Sequence, residues 1–180
     1  MKNELDIVKD VTQKLLQLQI PFMLTGSMAL NHYAQPRMTR DIDMVIELKL
    51  EKLPQFVEIF GAEYYVSPEA AQTAVRNKKS FNLIHQESVI KVDLFVRPDS
   101  AYAQTEFNRR KAVRIGDFET YVASKEDVII SKLWWARTSH SELQLRDVKS
   151  LLATDYDQEY VLDWTKKLGL EALLQECRRG

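Results

Sequence analysis

The chain has 180 residues, 45% of them hydrophobic and 28% charged, with a formal net charge of −1. These globular proportions exclude a disordered, fibrous or membrane class and leave enough chain for one domain with its own core. The near-neutral charge gives no global pull toward nucleic acid, and a single cysteine, Cys177, rules out an internal disulfide or a thiolate zinc site.

The first predicted element is a helix over residues 3–18, with Leu5, Val8, Val11, Leu15 and Leu18 at three-and-four spacing along one face. Pro21 ends it. Residues 22–25 predict a short buried strand, and Gly26-Ser27 turns the chain into a helix over 28–33. After Pro36, residues 40–48 alternate with period two: Ile42, Met44, Ile46 and Leu48 point one way, and Asp41, Asp43 and Val45 the other. Residues 51–60 and 68–75 predict two helices, the second opened by Pro68. Two strands follow over 81–85 and 89–96, joined closely enough to be an antiparallel hairpin.

A helix over 100–109 and a second hairpin, 111–115 with 118–122 around Gly116-Asp117, come next. Ser124-Lys125-Glu126-Asp127 resembles a capping box and starts a helix. Helices are further expected over 142–153, 158–168 and 170–178. Trp134, Trp135 and Trp164 are expected as core anchors, and Tyr64-Tyr65 either lines a pocket or packs in a strand. His32, His85 and His140 show no metal-ligand spacing. The pattern gives an α/β fold: a mixed sheet flanked by helices over 1–123, then a helical part over 124–180, in one domain.

The chemistry concentrates on three carboxylates. Residues two apart on a strand share a face about 6.5–7 Å apart, so Asp41 and Asp43 project side by side. Asp93 lies in Val89-Ile90-Lys91-Val92-Asp93-Leu94-Phe95-Val96, a strand apolar enough to be central, where a lone carboxylate is costly. If that strand lies beside the first with the same face up, three like charges converge and require neutralisation. Magnesium, which takes hard oxygen ligands, suits them, and a pair of such ions serves in-line displacement at phosphorus. Alternatively, a network with Arg37, Arg40 and Arg97 would satisfy the same charges without metal. Gly26-Ser27 before a helix offers backbone N–H groups, a hydroxyl and a dipole to phosphates, although such a pair is also a common helix cap.

Gly26-Ser27, then Asp41-x-Asp43, then Asp93 in Lys91-Val92-Asp93-Leu94-Phe95, together resemble the polymerase-beta-type nucleotidyltransferase superfamily. Arg37-Met38-Thr39-Arg40-Asp41-Ile42-Asp43-Met44 is similar to its small bacterial members, among them abortive-infection toxins and aminoglycoside and lincosamide nucleotidyltransferases. The resemblance implies Mg2+, with two ions expected on Asp41, Asp43 and Asp93, and an NTP donor held at Gly26, Ser27, Arg40 and Lys132. It further implies that Lys132, in Ser124-Lys125-Glu126-Asp127-Val128-Ile129-Ile130-Ser131-Lys132, contacts the triphosphate and that Asp147, after Arg146, orients Lys132 or assists the acceptor. A solvated Lys132 and an Asp147 paired with Arg146 or Lys149 are the competing readings.

The implied activity is transfer of a nucleotide to a hydroxyl acceptor. Candidate acceptors are tRNA or protein, as for a toxin with an antitoxin partner, or a small antibiotic-like molecule. A binding module that has lost transfer, acting as antitoxin or regulator, is the alternative outside enzymes. The basic run Arg109-Arg110-Lys111 with Arg114 favours a polyanionic acceptor; a second basic cluster is Arg76, Lys78 and Lys79. The N-terminal Met1-Lys2-Asn3-Glu4-Leu5-Asp6 lacks a signal-peptide pattern, and no run of about 20 apolar residues occurs, so a cytoplasmic location is expected.

Overall fold

The computed structural model describes residues 1–180. The chain runs α1 (Glu4–Gln17), β1 (Phe22–Thr25), α2 (Gly26–Tyr33), β2 (Asp41–Ile46), α3 (Leu53–Gly61), β3 (Tyr64–Tyr65), α4 (Pro68–Asn77), β4 (Ser80–His85), β5 (Lys91–Val96), α5 (Ala101–Asn108), β6 (Lys111–Ile115), β7 (Phe118–Val122), α6 (Lys125–Ser139), α7 (Glu142–Leu152), α8 (Gln158–Lys167) and α9 (Glu171–Arg179). Asn3 caps α1 in a reciprocal pair with Asp6, and Ser67, Ser100, Ser124, Ser141 and Asp157 cap α4, α5, α6, α7 and α8 through their side chains.

The seven strands form one sheet in the order β3-β4-β5-β2-β1-β7-β6. β2 lies parallel to β5, and β1 parallel to β7. The remaining neighbours are antiparallel, including the two expected hairpins. The strand alternation separates two cores. Ile42, Met44, Ile46, Val92 and Leu94 face a cluster with α1, α3 and α4, whereas Met23 on the opposite face joins α2 and the helices α6 to α9. Asp41, Asp43 and Asp93 therefore lie on the second face, beneath the helical C-terminal part.

Several expectations need correction. Leu5 is exposed, and Ile7 takes its place in the α1 core stripe. The helix after β1 starts at Gly26 itself. Tyr64 and Tyr65 form an edge strand, in which Tyr64 is buried with its hydroxyl donating to Asp10 at 2.6 Å and Tyr65 is exposed. Trp134 and Trp135 are exposed, and neither anchors the core. Trp164 packs on Tyr102 with ring centroids 5.1 Å apart. No helix is long and apolar enough to cross a membrane.

Candidate active site

In the parallel register of β2 with β5, Asp43 pairs with Asp93 and Asp41 with Lys91. Neighbouring strands lie about 4.8 Å apart, so the carboxylates of Asp43 and Asp93 rise from adjacent points of one face, with Asp41 two residues along. Burial pushes the Asp43 carboxyl up to about 6, and the charges of Asp93 and Asp41 add to the shift against the pull of Lys132 and Lys91. Asp93 is partly satisfied: Lys91 Nζ lies 2.9 Å from Oδ2, and Asn82 Nδ2, across the β4–β5 pair, donates to Oδ1 at 3.1 Å.

Thr25 faces Asp43 across the antiparallel β1–β2 pair, which brings the following glycine against the same carboxylate. Gly26 has φ +59°, and a Cβ there would collide with Asp43 Oδ2. The position thus needs glycine for both conformation and space. Thr25 makes no side-chain cap to α2, so the first-turn N–H groups keep their capacity for an outside acceptor.

The second half of the site is an ion network. Lys132 and Asp147 are 2% and 4% exposed, and Lys132 Nζ reaches Asp147 Oδ2 at 2.8 Å and Gln144 Oε1 at 3.2 Å. Arg37 joins the same carboxylate from the α2–β2 loop, with Nε donating to Oδ1 at 3.1 Å and Nη2 to Oδ2 at 2.9 Å. Nη2 also donates to Ser27 Oγ at 2.7 Å. Burial alone would raise the Asp147 carboxyl, but hydrogen bonds from Arg37 and Lys132 hold it below its usual value. Burial lowers Lys132, opposed by Asp147 and, at longer range, by Asp43. That field links the network to the aspartates on the sheet.

The structure thus brings together Gly26, Ser27, Asp41, Asp43, Asp93, Lys132 and Asp147. Arg40 is exposed, one residue before β2. Asp147 pairs with Arg37 and Lys132 rather than with Arg146 or Lys149, and Lys132 is buried rather than solvated. The arginine network around the three aspartates does not form, because Arg37 turns to Asp147 and Arg97 binds Glu47 at 2.6 Å. Half of the basic run is engaged: Arg109 pairs with Glu126 and Asp127 and stacks on Tyr160, and Arg110 lies over Phe107, whereas Lys111 and Arg114 are exposed. Sequence reasoning missed the roles of Arg37, Asn82, Lys91 and Gln144. Only Lys91 carried a signal, two residues before Asp93 on the same strand face.

No three Asp, Glu, His or Cys side chains close into a metal-ligand cluster as they stand. The donor set nevertheless suits a hard divalent cation. Three carboxylates share one face, and burial, with the charges of Asp93 and Asp41 adding to it, raises Asp43 toward neutral pH, a strain that a cation relieves.

No protein-family model matches the sequence, and no curated protein matches it. Solved structures do. An antigenic nucleotidyltransferase-like protein from Paracoccidioides brasiliensis superposes with a TM-score of 0.59 at 19% identity, covering 94% of this chain and 90% of that one. A lincosamide antibiotic adenylyltransferase bound to lincomycin gives 0.53 at 16%, covering 84% and 96%. ANT(2″)-Ia in complex with adenylyl-2″-tobramycin gives 0.52 at 14%, covering 99% and 98%. At these identities the likeness is one of architecture: the chain has a mixed α/β fold shared with nucleotidyltransferase-like proteins.

Proposed function

We propose that this chain is a magnesium-dependent nucleotidyltransferase that moves a nucleoside monophosphate from an NTP to a hydroxyl acceptor, releasing pyrophosphate. The observation that carries the proposal is the register of Asp43 against Asp93, with Asp41 on the same face and Gly26 in contact with Asp43. Asp41 and Asp43 would hold two ions and Asp93 one of them. Bound there, the ions supply charge neutralisation at the phosphates and a lowered pKa for the acceptor hydroxyl.

The chain's own residues would do the rest. Gly26 N–H and the Ser27 hydroxyl bind the phosphates, with Lys132 and the exposed Arg40 supplying positive charge to the donor. Asp93 accepts the proton of the attacking hydroxyl, and the new P–O bond forms as the bond to pyrophosphate breaks. Asp147 holds Lys132 in place. The reading treats residues 1–123 as the catalytic core and 124–180 as the part that closes over it, within one domain.

For the acceptor, a small hydroxylated molecule has the better support. Arg109 and Arg110 are engaged internally, which weakens the sequence feature that favoured a polyanion, and two of the similar structures carry lincomycin or adenylyl-tobramycin. A toxin acting on tRNA or protein beside an antitoxin rests on the resemblance at Lys132 and Asp147 alone. The test is pyrophosphate release from each NTP with magnesium and either a lincosamide and aminoglycoside panel or bulk tRNA. Release with one acceptor class, lost in Asp43→Asn, supports transfer. A chain that binds no nucleotide under any of these conditions is a non-catalytic module instead.

A further inference from the structure

We propose that Arg37 is a ligand of the donor's terminal phosphates, pre-aimed by Asn31 and Asp147, an assignment that rests on the transferase reading above. The residue lies in the α2–β2 loop, and its backbone is clamped on both sides. Asn31 Oδ1 accepts its N–H at 3.0 Å, and Asn31 Nδ2 donates to its carbonyl at 2.9 Å. Two bonds to Asp147 then fix the plane of the guanidinium. With its backbone held by two hydrogen bonds and its guanidinium by three, to Asp147 and Ser27, a side chain with many rotamers keeps one geometry before any ligand arrives, which lowers the entropy cost of binding.

What the network leaves open points to an anion. Arg37 Nη2 donates to Ser27 Oγ, which sits in the uncapped first turn of α2. The Ser27 hydroxyl hydrogen and Arg37 Nη1 have no acceptor within the protein. Asp147 is shared between two cations, Arg37 and Lys132, so one carboxylate cannot neutralise both; Asp43, the other carboxylate acting on Lys132, also faces Asp41 and Asp93. A phosphate oxygen placed at the start of α2 would replace Ser27 Oγ as the acceptor for Nη2, while the Ser27 hydroxyl turns to donate to the same phosphate. On the transferase reading, in which Gly26 and Ser27 bind the triphosphate, the phosphates read by Arg37 are those that depart as pyrophosphate. Their growing charge meets a cation that never deprotonates.

The experiment is calorimetric titration of the full chain with ATP, ADP, AMP and inorganic tripolyphosphate, each with Mg2+, for wild type, Arg37→Ala and Arg37→Gln. The glutamine variant keeps a donor for Asp147 and so preserves folding if alanine does not. Both variants should lose roughly ten- to hundredfold in affinity for ATP and tripolyphosphate, the loss of one charge-assisted contact, with AMP affinity unchanged. A purely structural role would weaken all four ligands alike, and that result overturns the assignment. So does ATP binding by Arg37→Gln at wild-type strength. Failure of the wild-type chain to bind ATP at all instead removes the transferase reading on which the assignment rests.

Discussion

Asp43 and Asp93 stand opposite each other in the parallel register of β2 and β5, on the sheet face that the C-terminal helices cover. Two carboxylates so placed repel each other, and the protein retains them next to a glycine whose Cβ-free surface abuts Asp43. This arrangement weakens the fold, a cost that the transferase reading explains as the making of a place for divalent cations.

Replacing Asp43 should separate activity from stability. Asp43→Asn abolishes transfer but raises the melting temperature in chelated buffer by about 2–4 °C, the change that roughly 1 kcal/mol produces in a chain of this size. The pH sign follows from a folded-state carboxyl raised to about 6 from 3.8. Its favourable contribution is complete below 3.8 and is lost as pH rises through 6. Thermal melts of both proteins across that window, with EDTA, check the crossover.

Gly26→Ala should fail twice. The left-handed backbone at φ +59° costs about 1–2 kcal/mol for a residue with a Cβ, and that Cβ pushes the Asp43 carboxylate out of place. The expected result is a modestly destabilised chain with no measurable transfer, read from urea melts together with pyrophosphate release.

Removing Asp147 leaves two cations without their shared partner, one of them only 2% exposed. Asp147→Ala should destabilise the chain by about 3–5 kcal/mol near neutral pH. The penalty should shrink in strongly alkaline buffer, where Lys132, already lowered by burial, sheds its proton. Denaturant midpoints at neutral and alkaline pH measure the difference.

Glu106 makes a pH prediction away from the site. Burial, with the Asp127 charge adding to it, pushes its carboxyl up to about 8 from 4.5, while Asp127 itself accepts hydrogen bonds from Tyr160 at 2.7 Å and Tyr102 at 3.2 Å. The folded state keeps the Glu106 proton that the unfolded chain releases, so this contribution is full below 4.5 and lost as pH rises through 8. Glu106→Gln should flatten the decline and raise the melting temperature at pH 8 by at least about 2 °C.

Much of the fold was legible because strand alternation and hairpin turns are local. The period-two pattern of 40–48 separated Asp41 and Asp43 from the buried Ile42 and Met44 without any tertiary information. The register that sets Asp93 beside Asp43 was only conditional, since nothing local says which strands neighbour each other. The role of Arg37 was missed because its partner, Asp147, is 110 residues away. Trp134 and Trp135 were misplaced because of what α6 turns inward. α6 buries Lys125, Glu126, Asp127 and Lys132, so polar residues occupy part of its inward surface and Trp134 and Trp135 are left outside. Hydrophobic periodicity misleads where a helix turns polar groups inward.

The most direct measurement is an electron paramagnetic resonance titration with Mn2+ standing in for magnesium, in the presence of an ATP analogue that cannot be cleaved at its α-phosphate. The account predicts about two bound ions per chain in the wild type, as in-line phosphoryl chemistry uses, and a loss of both in Asp43→Asn. Equal Mn2+ binding by the two proteins, or none by either, would contradict it.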